Sequence, residues 1–131
     1  MSRIYGEAAI EAFQLLEKDK SLTPIEAWDK AVSKKTNSKH SQIKTCPRTT
    51  FLAVCDLGKH NLKIPNTVVK QTKNYEYTII MLEYINEKKG DIESKKELWE
   101  AVQKKINKEL KNNGQSGVVF SLLKKDYLNW K

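Results

Sequence analysis

One helix-start motif occurs twice in this chain, once in each half. The first copy is Thr23-Pro24-Ile25-Glu26-Ala27-Trp28 and the second is Ser94-Lys95-Lys96-Glu97-Leu98-Trp99. In each copy a hydroxyl residue can cap a helix, and a glutamate three residues later can return a hydrogen bond to the cap, which is the capping-box arrangement. A tryptophan follows the glutamate by two positions. The motif therefore predicts the same capped helix in both halves, with the same large apolar side chain directed at a core.

Apolar residues recur with helical spacing along most of the chain. The pattern, with Pro and Gly as start and stop residues, predicts six helices over about residues 4–18, Pro24 to Lys35, Cys46 to just before Gly58, 74–89, Ser94 to near Asn112, and a last helix around Val118 to Leu123. The polar residues 36–45 are predicted to be a loop, and residues 59–73 an extended connector. The helix at 74–89 is apolar nearly all round, which predicts that it is the buried one.

The two halves match helix by helix, not only at the tryptophans. We therefore predict an all-α fold, a compact six-helix domain in which two pseudo-repeated three-helix units pack around one core. The units would cover about residues 4–62 and 74–130, and a chain of 131 residues suits a single domain over 1–131.

Composition favours a globular protein, with 39% hydrophobic and 31% charged residues. No apolar run approaches the roughly 20 residues that span a bilayer, and the first residues lack the apolar core of a signal peptide. The two cysteines form no disulfide framework and suit a reducing compartment. We expect a cytoplasmic protein with no membrane contact. The sequence does not indicate its oligomeric state.

The net charge of +8 is concentrated in the middle of the chain. Residues 33–74 hold nine of the 24 basic residues but only one of the 16 acidic ones, Asp56, so the rest of the chain is neutral. Such an asymmetry points to an anionic partner.

The first functional hypothesis is a small, non-enzymatic protein that binds DNA or RNA through this basic surface. The residues expected to contact the phosphate backbone are Lys35, Lys39, His40, Lys44, Arg48, Lys59, His60 and Lys63. A basic loop before the third helix of a three-helix unit resembles DNA-binding helical domains, although the connection is longer than a helix-turn-helix turn. Lysine also outnumbers arginine here, and it reads bases less well.

The alternative is a protein–protein interaction or regulatory module. It would meet an acidic protein partner through the same face or use exposed aromatic side chains as anchors, for which the candidates are Tyr75, Tyr77 and Trp130.

The third hypothesis is a cysteine-dependent enzyme, although the sequence as a whole favours a protein that is not an enzyme. Cys46 should lie at a helix N-terminus beside Arg48, which lowers a thiol pKa, and His40 or His60 could act as a base. These two histidines and Cys46 and Cys55 are all the His and Cys of the chain. The cysteines are separated by roughly 13 Å of helical rise, which argues against one zinc ion or a disulfide between them. We expect no metal and no cofactor.

The run Cys46-Pro47-Arg48-Thr49-Thr50-Phe51-Leu52-Ala53-Val54-Cys55-Asp56-Leu57-Gly58 resembles a Cys-Pro-(Lys or Arg)-x-x-Phe-Leu-x-Leu-Cys-x-x-Gly motif. The early Tyr5-Gly6-Glu7-Ala8-Ala9 and the Pro-x-Glu-Ala-Trp box from Pro24 to Trp28 are similar to the same family. It is a family of small bacterial proteins of unknown function. The final segment, Lys124 to Leu128, lacks the terminal Gly-Leu-Ile of that family. The resemblance implies a shared fold and supplies no reaction.

Overall fold

The structure is a computed structural model that describes residues 2–57 and 72–128. These residues form seven helices and no strand, so the all-α prediction is confirmed. The helices are α1 (Ser2–Lys18), α2 (Pro24–Lys35), α3 (Lys39–Gln42), α4 (Thr45–Leu57), α5 (Lys73–Glu87), α6 (Lys95–Ile106) and α7 (Gln115–Lys124). Six of them correspond to the six predicted helices, and α3 is a single short turn between two of these. None of the helices in the two described ranges combines the length and the apolarity needed to cross a bilayer.

The first copy of the repeated motif forms the complete capping box. The Glu26 amide donates to Thr23 Oγ1 at 3.2 Å, and the Thr23 amide donates to Glu26 Oε1 at 3.0 Å. Pro24 occupies the first turn, where a backbone N–H has no acceptor within the helix, so the lack of an N–H in proline costs no hydrogen bond. Helix α2 therefore begins and ends where the sequence predicts.

The second copy forms only half of the box, which corrects the prediction. Ser94 Oγ accepts from the Glu97 amide at 3.2 Å, as expected of a cap. The Glu97 carboxylate, however, accepts from the Glu93 amide at 2.9 Å and from the Tyr84 hydroxyl at 2.7 Å. These two bonds lower the pKa of Glu97 despite some desolvation. The carboxylate thus ties α6 to α5 instead of closing its own cap.

The two tryptophans are both core anchors but have different surroundings. Trp28 is fully buried and its ring lies 5.4 Å from that of Phe51, whereas Trp99 meets Tyr77 edge-on at 5.6 Å. Trp99 Nε1 donates to the Leu110 carbonyl at 2.8 Å. The buried Trp28 Nε1 has no acceptor among the described residues. The shared sequence motif therefore places the ring but not its hydrogen bond.

Helix packing brings the two halves together in one cluster of buried side chains. Helix α1 packs mainly on α2 and α7, while α5 packs mainly on α4 and α6. In terms of the two predicted units, the first helix of each unit packs on the last helix of the other: α1 on α7, and α5 on α4. The internal duplication itself stays a prediction.

The expectation that the helix at 74–89 is the buried one is wrong. Helix α5 fully buries only Thr78, Met81 and Ile85, whereas α7 buries seven of its ten residues. Three of the apolar positions on α5 are tyrosines, whose hydroxyls favour partly exposed positions. The small residues of α7 instead allow it to lie in the centre, and Gly6 of α1 approaches the α7 backbone closely.

Helix α6 ends at Ile106, well before the predicted end near Asn112. Asn107 is in the left-handed conformation, with φ of 63°, and its amide donates to the Gln103 carbonyl at 2.8 Å. The Gln103 side chain then accepts from the Leu110 amide at 2.7 Å. Leu110 continues the helical spacing by coincidence and packs on the core from the non-helical segment after α6.

Candidate nucleic-acid interface

Part of the basic segment, from Lys39 to Lys44, lies on α3 and the turn after it. Ser38 caps α3 by accepting from the Ser41 amide at 3.3 Å, and Gln42 Nε2 donates to the Thr36 carbonyl at 2.7 Å. The Tyr5 hydroxyl of α1 donates to the Ser41 carbonyl at 3.1 Å. Helix α3 buries none of its own residues, so these hydrogen bonds hold it against the rest of the protein.

Three of the predicted contact residues are free in this segment. Lys39, His40 and Lys44 are exposed, and none of them has an ion-pair partner among the described residues. The chain has no carboxylate between Asp29 and Asp56, so the nearest acids in sequence lie on α2 and at the end of α4. These three side chains are one part of the basic segment that is available to an anion, and we call them the α3 cluster.

Other cations of the same segment are already paired. Lys34 and Lys35 both contact the Glu11 carboxylate of α1, at 3.1 Å and 3.2 Å. Burial alone would raise the pKa of Glu11, but the two lysines outweigh it and lower that pKa. The single Glu11 carboxylate therefore balances one of the two positive charges of Lys34 and Lys35 within the protein.

Arg48 is held in the same way. Its Nε lies 3.3 Å from Asp29 Oδ1, and its Nη2 donates to Asp29 Oδ2 at 3.4 Å. Nε is within ion-pair distance but is not aligned as a hydrogen-bond donor, and it is buried. The guanidinium is therefore partly committed to α2, although its edge remains open to solvent. Lys59, His60 and Lys63, the remaining predicted contacts, lie outside the described residues.

A groove of about 470 Å³ lies beside the α3 cluster. Lys44, from the turn after α3, and Lys111, from the segment before α7, both line it, together with Ile4 and Tyr5 of α1. The segment before α7 packs closely on Tyr5 at Gly114. The φ of Gly114 is +94°, and a Cβ atom at this position would lie 2.9 Å from the tyrosine ring. No carboxylate belongs to the lining, so the groove is positive.

Lys111 is a residue that the sequence interpretation missed. It lies in the part of the chain where basic and acidic residues are equal in number, so the charge asymmetry along the sequence does not identify Lys111 as a candidate contact. Only the tertiary contact between α1, α3 and the segment before α7 places it near Lys44.

The cysteines have the geometry expected for structural residues. Cys46 is the second residue of α4 and Cys55 lies near its end, so the helical rise separates them as predicted. Burial, with a smaller contribution from the Asp56 charge, raises the pKa of Cys55 to about 12. That thiol stays protonated and unreactive at neutral pH. In the described part of the chain no three His, Cys, Asp or Glu residues converge on a metal position.

The aromatic residues proposed as protein-binding anchors have partners inside the molecule. The Tyr75 hydroxyl donates to Asp56 Oδ2 at 2.7 Å, and burial followed by this contact raises the pKa of Tyr75 to about 12. Tyr77 packs on Trp99. Trp130 lies outside the described residues. Neither described tyrosine is therefore a free anchor of the kind that the second hypothesis names as one option.

Comparison with known proteins gives one result. A family model described as a family of unknown function, DUF6979, matches residues 1–129. No curated protein and no solved structure matches the chain. The resemblance to a family of unknown function is thereby confirmed, whereas its bacterial origin and the cysteine-proline motif stay predictions.

Proposed function

Since this chain belongs to DUF6979, a family of unknown function, we propose on physical grounds that it binds nucleic acid through the basic surface of residues 33–74. The α3 cluster supports this proposal most strongly. Lys39, His40 and Lys44 are exposed, close together in sequence and free of carboxylate partners among the described residues. Cations in such a position are neutralised most favourably by an external polyanion, which releases its own counterions on binding.

The binding that we propose is directed at phosphates and is largely independent of sequence. Helix α3 has only four residues, too few to lie in a major groove and present side chains to base edges. Lysine acts as a point charge and does not have the two-pronged geometry with which arginine reads guanine. The surface therefore suits the backbone of DNA or RNA, and we expect modest affinity that falls with salt.

The proposal includes a cytoplasmic location. The two unbridged cysteines suit a reducing compartment, and nucleic acid is present there.

The test is the affinity for a fluorescein-labelled 12-nucleotide single strand and a 12-base-pair duplex, measured by anisotropy at low salt. We expect the double variant Lys39→Glu/Lys44→Glu to lose at least tenfold in affinity, because two attractive phosphate interactions become repulsive. The matched control is Lys18→Glu/Lys20→Glu, which changes the net charge equally. It alters two exposed lysines, Lys18 at the end of α1 and Lys20 in the turn after it, and Lys18 is separated from Tyr5 of the groove by roughly 20 Å of helical rise. Equal losses in the two double variants, or no binding by the wild-type protein, would remove the proposal.

A further inference from the structure

We propose that the groove between α1, α3 and the segment before α7 receives one unpaired nucleotide of the bound strand, with its phosphate between Lys44 and Lys111. The proposal rests on the nucleic-acid binding proposed above. It extends the contact surface from the basic middle segment to a residue of the other half of the chain.

Charge is the first reason for assigning this ligand. Lys44 and Lys111 come from separate elements and line one cavity, and neither has an ion-pair partner among the described residues. Glu109, the acid closest to Lys111 in sequence, is exposed and does not belong to the lining. Two unbalanced ammonium groups at one groove favour a group that carries negative charge, such as a phosphate.

Unused hydrogen-bonding groups are the second reason. Ser41 and Asn113 both line the groove, and neither the Ser41 hydroxyl nor the Asn113 carboxamide bonds to another described residue. The neighbouring Asn112 side chain is engaged at both polar atoms, because its Nδ2 donates to Ser116 Oγ at 2.6 Å and its Oδ1 accepts from the Gly114 amide at 3.1 Å. Asn112 thus fixes the segment while Ser41 and Asn113 remain available to a ligand.

Size and polarity are the third reason. A volume of about 470 Å³ is within the range of small-molecule sites and is more than a phosphate alone would fill. Ile4 gives the groove a partly exposed apolar wall against which a base can lie, whereas the Tyr5 ring is buried beneath Gly114. A base in a duplex stays stacked and paired, so only an unpaired nucleotide presents both its base and its phosphate to such a groove.

The test compares single-stranded and duplex binding for variants of the full chain. We expect Lys111→Glu to weaken binding of a 12-nucleotide single strand about tenfold and to change duplex binding less than threefold. Asn113→Asp, which keeps the side-chain shape, should also weaken single-strand binding selectively. Lys20→Glu is the single-charge control and should change neither affinity more than twofold. Thermal unfolding of each variant checks that the fold is retained.

The outcomes separate this inference from the function on which it rests. If Lys111→Glu and Asn113→Asp behave like Lys20→Glu while Lys39→Glu/Lys44→Glu loses binding, the groove is not part of the site and the proposed function stands. If the wild-type protein binds neither oligonucleotide at low salt, both proposals fail. Competition with AMP distinguishes the source of the phosphate. We expect millimolar AMP not to displace the strand, and displacement at micromolar AMP would assign the groove to free nucleotides and overturn the proposal.

Discussion

Single residues decide where the elements of this protein stop, and Asn107 is the clearest case. Its left-handed backbone, with φ of 63°, ends α6 and turns the chain so that Leu110 reaches Trp99. Asparagine tolerates this conformation better than most residues that carry a Cβ, and glycine tolerates it best.

We therefore expect Asn107→Ala to lower the free energy of unfolding by about 1 kcal/mol, because alanine is strained in the left-handed region. Asn107→Gly is the matched control and should leave stability unchanged or slightly raised. Urea unfolding measures both. An alanine variant as stable as the wild-type protein would contradict the role assigned to this residue.

Individual cations in the basic segment also differ in ways that sequence does not reveal. Lys35 and Arg48 are predicted on the same basis as Lys39 and Lys44, yet the first two have carboxylate partners on neighbouring helices. Charge along the chain can be counted, but the partner of each charge depends on which helix faces which. The sequence therefore identifies the basic segment and cannot divide it into paired and free members.

At the scale of elements, Glu11 links α1 to the end of α2 through Lys34 and Lys35. We expect Glu11→Gln to release both lysines and to tighten nucleic-acid binding two- to fivefold at low salt, because two more cations become available to phosphates. Stability should fall by less than about 1 kcal/mol, since partly exposed ion pairs contribute little. Glu100→Gln, an exposed acid on α6, is the control with the same change in charge. Equal effects of the two substitutions on affinity would show that Lys34 and Lys35 remain unavailable.

The pKa of Glu11 sets the pH range over which this link persists. Because the folded state lowers that pKa, the link contributes stability above the unfolded value of about 4.5 and loses it as pH falls through the lower folded value. Affinity measurements near neutral pH therefore compare proteins in which Glu11 is fully ionised.

Helix positions are predictable wherever capping and periodicity agree. Helix α2 has its predicted limits because Thr23, Pro24 and Glu26 act within one turn. The short α3 and the early end of α6 escape prediction because each depends on contacts between elements, the Tyr5 bond to Ser41 in one case and the Gln103 bond to Leu110 in the other. The local sequence contains the capping and periodicity signals, but it does not contain the contacts between elements.

At the scale of the whole molecule, the α3 cluster is a free cationic surface beside a groove that residues from both halves of the chain line. The groove was not predictable, because Lys44 and Lys111 are distant in sequence and only the packing of α1 with α7 brings their segments together. The charge asymmetry was predictable, because it is a property of composition along the chain. The functional account depends on the claim that this free surface contacts phosphates.

The dependence of affinity on salt tests that claim most directly. We expect log K for a single strand to fall linearly with log salt concentration. The magnitude of the slope should be smaller by about 1.4 in Lys39→Glu/Lys44→Glu, because each phosphate that a lysine no longer neutralises removes roughly 0.7 from it. The slope of Lys18→Glu/Lys20→Glu should match that of the wild-type protein. Identical slopes in all three proteins would contradict the account.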